Sequence, residues 1–316
     1  MEQVESNSSD SCCLTTAVYY VGLIVVLRLL LSIAFSIYRN FVRKGHDLHQ
    51  RYGTDSWVLV TGATAGIGFQ ICRYAAEKGL NVVISGRDKD KLVKCEKEIQ
   101  AVNPKIKTRT LRLDFNETQD VKHYHRVADE VADLDIALLV NNAGVLHCRP
   151  FTEILASDVM EMIETNIFGL TMLTQIFINR FQKRKLRSGV VNVSSMGGLA
   201  PSPFLQFYTS TKACVTSFTR SLGKEVGSKI DVLCHSPAYV QTKMSKYSSG
   251  PHVAKPRDCA HAIFRDLGYE YENFPTIGHE LQASILKFLQ WISETFYSNF
   301  IYFFSKMEYQ NKFLNE

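Results

Sequence analysis

The chain has 316 residues, of which 46% are apolar and 21% charged, and this composition excludes intrinsic disorder and collagen-like repeats. Its net charge is +5, from 36 basic and 31 acidic residues, and without a basic run nucleic-acid binding is not indicated. The eight cysteines are scattered and include no CxxC pair, so neither a disulfide framework nor a metal site is predicted.

The first apolar segment covers residues 14–38 and has Arg28 as its only charge. As a helix it would measure about 37 Å at ~1.5 Å per residue, which exceeds a hydrocarbon core of about 30 Å. A central charge costs about 2.5–3.5 kcal/mol, whereas the Leu, Ile, Val and Phe side chains return roughly 4–8 kcal/mol. The segment is therefore predicted to be a transmembrane anchor.

The charges beside this segment predict its orientation. The tail over residues 1–13 is acidic, and the basic residues Arg39, Arg43 and Lys44 follow the span. The positive-inside rule then predicts a lumenal tail and a cytosolic domain. A signal peptide is the alternative, but it requires a basic start and a shorter apolar run.

After a polar linker predicted over 39–55, strand and helix signals alternate. The predicted strands cover 58–60, 81–84, 110–113, 136–140 and 189–193, and the predicted helices cover 69–78, 89–101, 121–132 and 158–182. This alternation predicts the α/β class, with a single Rossmann-type, doubly wound parallel sheet over residues 56–275.

The last segment, residues 276–316, is hydrophobic and amphipathic. Its apolar side chains fall at helical spacing from Leu281 to Phe296, and an aromatic cluster follows up to Phe304. An aromatic-rich amphipathic helix is typical of a membrane surface. A helix packed on the domain, above a substrate channel, is the alternative that the pattern leaves open.

A glycine-rich turn, Thr61–Gly68, follows the first predicted strand and opens a helix. Glycines allow the backbone to approach a pyrophosphate, to which the helix N-terminus presents N–H donors. The second strand ends at Gly86, where an NAD site usually has a carboxylate, and Arg87 follows. Because a guanidinium suits a 2′-phosphate, NADP(H) is the predicted cofactor.

Three further side chains suggest proton transfer to a carbonyl group. Tyr208 and Lys212 have the i, i+4 spacing that shares one helix face. An ammonium about 4 Å away supplies ~4 kcal/mol at an effective dielectric of 20, enough to lower a phenol pKa by ~2–3 units. Ser195 ends an apolar run, and its hydroxyl beside the phenol would hold a carbonyl oxygen.

Taken in order, these residues resemble the short-chain dehydrogenase/reductase family over about residues 57–244. The Asn-Asn-Ala-Gly run at 141–144 and Asn166 also match, whereas Ala238 stands where the family often has glycine. The resemblance implies that the catalytic residues are Asn166, Ser195, Tyr208 and Lys212. It implies that the cofactor is bound by Gly62, Thr64, Ala65, Gly66, Ile67, Gly68, Arg87, Asp114, Asn141, Ala143, Tyr208, Lys212, Pro237, Val240 and Thr242.

Within this family the chain resembles a membrane-bound branch of steroid dehydrogenases and 3-oxoacyl-CoA reductases. The anchor, the run Arg51-Tyr52-Gly53, the run Pro201-Ser202-Pro203 and the lipophilic C-terminus carry this resemblance. It implies reduction of very-long-chain 3-oxoacyl-CoA with NADPH, in fatty-acid elongation at the endoplasmic reticulum. The wider family often forms dimers or tetramers, and whether the anchored form keeps that homo-oligomeric interface stays open.

Two alternatives stay open at this point. A 17β-hydroxysteroid dehydrogenase, or a reductase of another lipid ketone, would use the same four catalytic residues. A non-catalytic, NADPH-binding membrane scaffold is the alternative of another class, and it has no need for Tyr208 and Lys212 at this spacing. In every case the predicted partners are a lipophilic molecule and a membrane, bound through residues 14–38 and through the C-terminal helix if that helix lies on the membrane surface.

Overall fold

The structure is a computed structural model that describes residues 2–117, 120–199 and 201–313, and it divides at Lys44 into two compact units. The first unit is a long helix, α1 (Glu2–Ile37), which continues into a π-helical turn, Tyr38–Val42. Among the described residues, one helix is long and apolar enough to cross a membrane, and it covers Thr15–Val42. None of its apolar window is buried in the protein, as expected for an anchor and not for a core helix.

The second unit begins at Gly45 and contains a seven-stranded sheet. Its strands are β1 (Trp57–Val60), β2 (Asn81–Gly86), β3 (Thr108–Arg112), β4 (Ile136–Asn141), β5 (Ser188–Val193), β6 (Ile230–His235) and β7 (Glu272–Asn273). All neighbours pair in parallel, in the order β3-β2-β1-β4-β5-β6-β7. The predicted doubly wound parallel sheet is therefore confirmed, and β6 and β7 add to the five predicted strands.

The described part of this unit contains ten α-helices. They are α2 (Leu48–Tyr52), α3 (Gly66–Glu77), α4 (Lys89–Val102), α5 (Val121–Asp129), α6 (Ala156–Ile163), α7 (Gly169–Phe181), α8 (Gln206–Val226), α9 (Pro256–Asp266), α10 (Ile277–Ile292) and α11 (Glu294–Phe313). Along β1, Val58 and Val60 join one core cluster, whereas Trp57 and Leu59 join a second cluster on the other face. Because strand side chains alternate between faces, the sheet has an apolar core on both sides.

The helix predicted over 158–182 is interrupted. A π-helical turn, Glu164–Phe168, separates α6 from α7. Gly169 follows this turn, and a Cβ there would lie 2.1 Å from the Phe115 ring. The close approach of that ring is possible only at a glycine. Asn166, one of the predicted catalytic residues, lies within the π turn. Single π-helical turns are often found at functional sites.

The predicted linker over 39–55 differs from the structure in its second half, which is packed on the domain. Leu48 and Tyr52 of α2 are buried in the core cluster of one sheet face. Arg51 Nε donates to Asp231 Oδ2 at 2.6 Å, and the Tyr52 hydroxyl donates to the same oxygen at 2.7 Å. The folded unit therefore begins at Gly45, because these residues close a polar cluster with β6.

Candidate active site

A cavity of about 1020 Å³ opens at the carboxyl ends of the central strands. The chain reverses its strand order between β1 and β4, and open α/β sheets bind ligands at such a switch point. Most of the predicted site residues line this cavity: Gly62, Thr64, Ala65, Gly66, Ile67, Arg87, Asp114, Ala143, Ser195, Tyr208, Lys212, Pro237, Val240 and Thr242.

The turn after β1 has the backbone geometry of a phosphate cradle. Gly62 and Gly66 have φ angles of +61° and +55°, which are left-handed and favour glycine. A Cβ on Gly62 would lie 2.8 Å from the Cα of Ala143. Gly68, by contrast, is not among the cavity-lining residues. A Cβ there would lie 2.4 Å from the Gly62 carbonyl oxygen, so Gly68 allows close packing within the turn.

Arg87 lies at the rim of the cavity, after the end of β2. Its side chain is 66% exposed, and its nearest ionic contact is loose, with Nη1 3.9 Å from Glu161 Oε1. Asp114 lines the same region and accepts a hydrogen bond from the Asn116 N–H at 3.1 Å. The glycine turn, this guanidinium and this carboxylate fit a dinucleotide with a 2′-phosphate, which Arg87 would hold.

Asn141 remains a predicted cofactor contact, but it is not among the residues that line the cavity. Its side chain is buried against α7, where Nδ2 donates to Asn192 Oδ1 at 2.8 Å and to Thr174 Oγ1 at 2.9 Å. The neighbouring Asn142 lines the cavity instead, and its Nδ2 donates to the carbonyl oxygens of Thr61 and Gly62. Asn141 pairs in register with Asn192 of β5, and the two side chains meet on the face of the sheet that packs against α7.

Asn166 is fully buried below the cavity. Its Oδ1 accepts the Val145 N–H at 2.9 Å, and its Nδ2 donates to the Val145 carbonyl and to Thr211 Oγ1, both at 3.0 Å. The Thr211 hydroxyl in turn donates to the Tyr208 carbonyl at 2.7 Å. Asn166 thus connects the loop after β4 to α8. Thr211 was missed by the sequence argument, because a threonine between two predicted catalytic residues carries no distinct signal.

Ser195 and Tyr208 meet at the cavity wall. The Ser195 hydroxyl accepts the Gly197 N–H at 3.1 Å and lies 3.4 Å from the Pro237 carbonyl, to which it donates. It also forms a hydrogen bond with Tyr208, whose side chain is largely buried in the first turns of α8. The predicted pair of hydroxyl groups is therefore assembled on one wall.

Lys212 lies one helical turn after Tyr208 and is buried. Its Nζ donates to the Val193 carbonyl at 3.0 Å and lies 5.8 Å from the centroid of the Tyr208 ring. The predicted effect of Lys212 on the Tyr208 pKa is not what the structure shows. Burial raises the pKa of Tyr208, while the Ser195 hydroxyl acts in the opposite direction. Burial also lowers the pKa of Lys212 to about 8, because removal from water disfavours the ammonium ion.

Part of the cavity wall comes from the C-terminal helices. Leu286 of α10 and the α11 residues Ile301, Phe304, Ser305 and Tyr309 line the same cavity as Tyr208. The sequence argument left open whether this segment packs on the domain or faces a membrane. The structure shows one face that lines the cavity and a second, exposed apolar face. On this second face, Ile285 and Trp291 of α10 are 47% and 81% exposed.

Comparisons with known proteins agree with this architecture. A family model for short chain dehydrogenases matches residues 56–251. The very-long-chain 3-oxoacyl-CoA reductase of Coccidioides immitis is 31% identical, over 90% of this chain and 85% of its own length. The human enzyme of that name is 31% identical, over 87% of this chain and 89% of its own length.

Solved structures share the fold. A 7β-hydroxysteroid dehydrogenase superposes with a TM-score of 0.70 at 23% identity, covering 81% of this chain and 99% of its own. A short-chain dehydrogenase of Sphingobium yanoikuyae, in complex with NADPH, gives 0.64 at 24% identity, covering 76% and 95%. The predicted family, fold and oxidoreductase class are confirmed. The chain belongs to the short-chain dehydrogenase family of oxidoreductases.

Proposed function

We propose that this chain is a membrane-anchored, NADPH-dependent carbonyl reductase that acts on very-long-chain 3-oxoacyl-CoA in fatty-acid elongation. The observation that carries the proposal is a cavity that is lined both by Ser195 and Tyr208 and by apolar side chains of the C-terminal helices. Such a cavity suits a carbonyl group attached to a long apolar chain. The names of the human and Coccidioides immitis relatives support this substrate.

The proposed reaction uses this chain's own residues as follows. Tyr208 donates a proton to the carbonyl oxygen, and its buried phenol stays protonated at neutral pH because burial raises its pKa. Ser195 donates a hydrogen bond to the same oxygen as negative charge develops there. Lys212 places an ammonium beneath the ring of Tyr208, and Asn166 holds the loop and helix that surround these groups. Bound NADPH supplies the hydride.

NADPH is the proposed hydride donor because of the residues at the end of β2. The strand ends at Gly86 without a carboxylate for the 2′-hydroxyl group, and the exposed guanidinium of Arg87 follows at the cavity rim. The Sphingobium yanoikuyae enzyme, which holds NADPH, supports this choice.

Membrane attachment is proposed through two regions. The helix Thr15–Val42 has the length and composition of a span, and the basic residues after it favour a cytosolic domain. The exposed apolar stripe of α10, at Leu281, Ile285 and Phe288, would lie on the same membrane. The resemblance to the membrane-bound branch supports the endoplasmic reticulum as the location and a homo-oligomer as the assembly.

A steroid ketone is the second candidate substrate, because the same hydroxyl pair would reduce it. One observation favours the thioester over the steroid. Lys243 and Lys246, on the loop after β6, line the cavity. Basic side chains suit the phosphates of coenzyme A, whereas a neutral steroid presents no anion to them. We expect Lys243→Ala to raise the KM for a 3-oxoacyl-CoA but not for the matching 3-oxoacyl-pantetheine.

The direct test uses the detergent-solubilised full chain. Loss of NADPH absorbance on addition of a long-chain 3-oxoacyl-CoA, with 3-hydroxyacyl-CoA as the product by mass spectrometry, is the expected result. Tyr208→Phe is the control that retains cofactor binding. Binding of NADPH without turnover of any lipid ketone would contradict the proposal and favour the non-catalytic scaffold.

A further inference from the structure

The two C-terminal helices have apolar side chains on opposite faces, and only one face belongs to the cavity. Leu286 of α10 lines the cavity, while its neighbour Ile285 is 47% exposed and does not. On α11, Ile301 lines the cavity, whereas Tyr302 is 48% exposed and does not. Each pair therefore has two neighbouring apolar or aromatic residues, of which only one lines the cavity.

The inner face of α11 is held against the domain. Tyr297, near its start, is 1% exposed. Near its other end, the Tyr309 ring stacks on Phe204, with centroids 4.7 Å apart and planes 3° from parallel. Phe204 has a φ of +66°, unusual for a bulky residue, and its carbonyl accepts the Arg149 N–H at 2.9 Å. Contacts at both ends therefore hold the helix as a wall of the cavity.

This wall borders the same cavity as the groups proposed to act on the carbonyl. Tyr208 on α8 and Leu286 and Ile301 on the C-terminal helices all border the same space. Leu286 and Ile301 are only partly exposed, and both have apolar side chains. When the substrate carbonyl lies at Tyr208, its acyl chain gains apolar contact only where it reaches this wall. Each methylene buried there should raise the affinity about fourfold.

We propose that Leu286 and Ile301 form the acyl-chain end of the substrate site and set the chain-length preference of the enzyme. This inference rests on the proposed function, because it assigns the far end of the same substrate. The residues act on specificity, since they lie on helices that contribute none of the proposed catalytic residues.

The test compares wild type, Leu286→Trp and Ile301→Trp over a series of 3-oxoacyl-CoAs from short to very long chains. A larger side chain shortens the space, so kcat/KM is expected to fall by about fourfold for each methylene excluded. Short chains, which do not reach the wall, should keep wild-type values. Ile301→Ala is the opposite variant, and it should shift the optimum toward longer chains.

Ile285→Trp and Tyr302→Trp are the matched controls, because they change neighbouring residues on the outer face. They should keep the wild-type chain-length profile, and NADPH binding should be retained by all five variants as a sign of correct folding. An equal loss at every chain length, or an unchanged profile in the Leu286 and Ile301 variants, would overturn the proposal.

Failure of the proposed function gives a different result. The wild type would then reduce no 3-oxoacyl-CoA of any length but would reduce another lipid ketone. The same variants, measured on ketones of increasing length, would show a length-dependent loss if the wall inference holds. They would show no length dependence if it is wrong.

Discussion

The two sides of the cavity are built by different means. On the cofactor side, glycine backbone at Gly62 and Gly66 follows β1, whose four residues are all buried. On the C-terminal side, the wall consists of side chains such as Ile301 and Leu286 on helices with exposed outer faces. A backbone cradle suits a ligand of fixed shape, and flexible apolar side chains suit a chain of variable length.

This difference extends to stability. The cofactor side rests on buried strands, whose opening requires most of the free energy of global unfolding. The α10–α11 pair has exposed apolar residues such as Phe288 and Phe303, at 57% and 59%. Local opening of this pair should cost less, so amide hydrogen exchange should be faster in α11 than in β1 or β4.

The largest effect is expected from loss of the Tyr208 phenol. Tyr208→Phe removes the proposed proton donor and should lower kcat by about 10²–10⁴-fold. The dissociation constant for NADPH, measured by fluorescence titration, should change little. Full turnover in this variant would refute the proposed proton transfer.

The next effect tests the cofactor side. Gly62→Ala places a Cβ 2.8 Å from the Ala143 Cα and puts an alanine at a φ of +61°, which costs about 1–3 kcal/mol. NADPH affinity should fall by about 5- to 150-fold. Gly278→Ala in α10 is the control, because its Cβ would meet ordinary contacts at 3.7 Å and beyond. If both variants bound NADPH like the wild type, the turn would not be the cradle.

A smaller effect should separate NADPH from NADH. Arg87→Ala removes the guanidinium proposed for the 2′-phosphate, and because this side chain is 66% exposed, solvent screens its charge. The KM for NADPH should rise about tenfold, whereas the KM for NADH should stay near its wild-type value. Equal changes for the two cofactors would assign Arg87 to another role.

The smallest effect is a pH dependence. The pKa of Lys212 is about 8 and that of Tyr208 is raised, so Lys212 loses its proton first as pH increases. If the ammonium assists the reaction, kcat/KM for NADPH should fall about fourfold between pH 7 and 8.5. Lys212→Arg should remove this fall in kcat/KM, since a guanidinium does not titrate between pH 7 and 8.5. A flat wild-type profile would exclude Lys212 as the titrating group.

The same shift affects stability in the opposite direction. Because the folded-state pKa of Lys212 lies below that of the unfolded chain, the unfolded state binds more protons between about pH 8 and 10.4. This group's contribution to the free energy of unfolding therefore rises over that range. Denaturant titrations of the wild type and of Lys212→Met measure this difference.

Local sequence signals predicted the cofactor side well. The run Thr61–Gly68 and the spacing of Tyr208 and Lys212 are short patterns on single elements, and the structure brings them to one cavity. The run Asn141-Asn142 shows a limit of these signals. Asn141 ends β4 and Asn142 follows it, and the sequence does not say which of the two amide side chains reaches the cavity.

The features that were missed depend on contacts between distant segments. The π turn at Asn166 is followed directly by Gly169, and that glycine packs against the Phe115 ring from a distant part of the chain. The packing of α2 requires Arg51 to meet Asp231, which is 180 residues away. The wall at Ile301 belongs to a segment that is apolar on several faces, so hydropathy alone did not identify the inward one.

The central claim is that this enzyme reduces a long-chain 3-oxoacyl-CoA. The most direct measurement is a competition, in which the detergent-solubilised full chain and NADPH act on a very-long-chain 3-oxoacyl-CoA and a 17-ketosteroid together. The ratio of product formation gives the ratio of kcat/KM. Our account predicts that 3-hydroxyacyl-CoA is the main product, and preferential reduction of the steroid would contradict it.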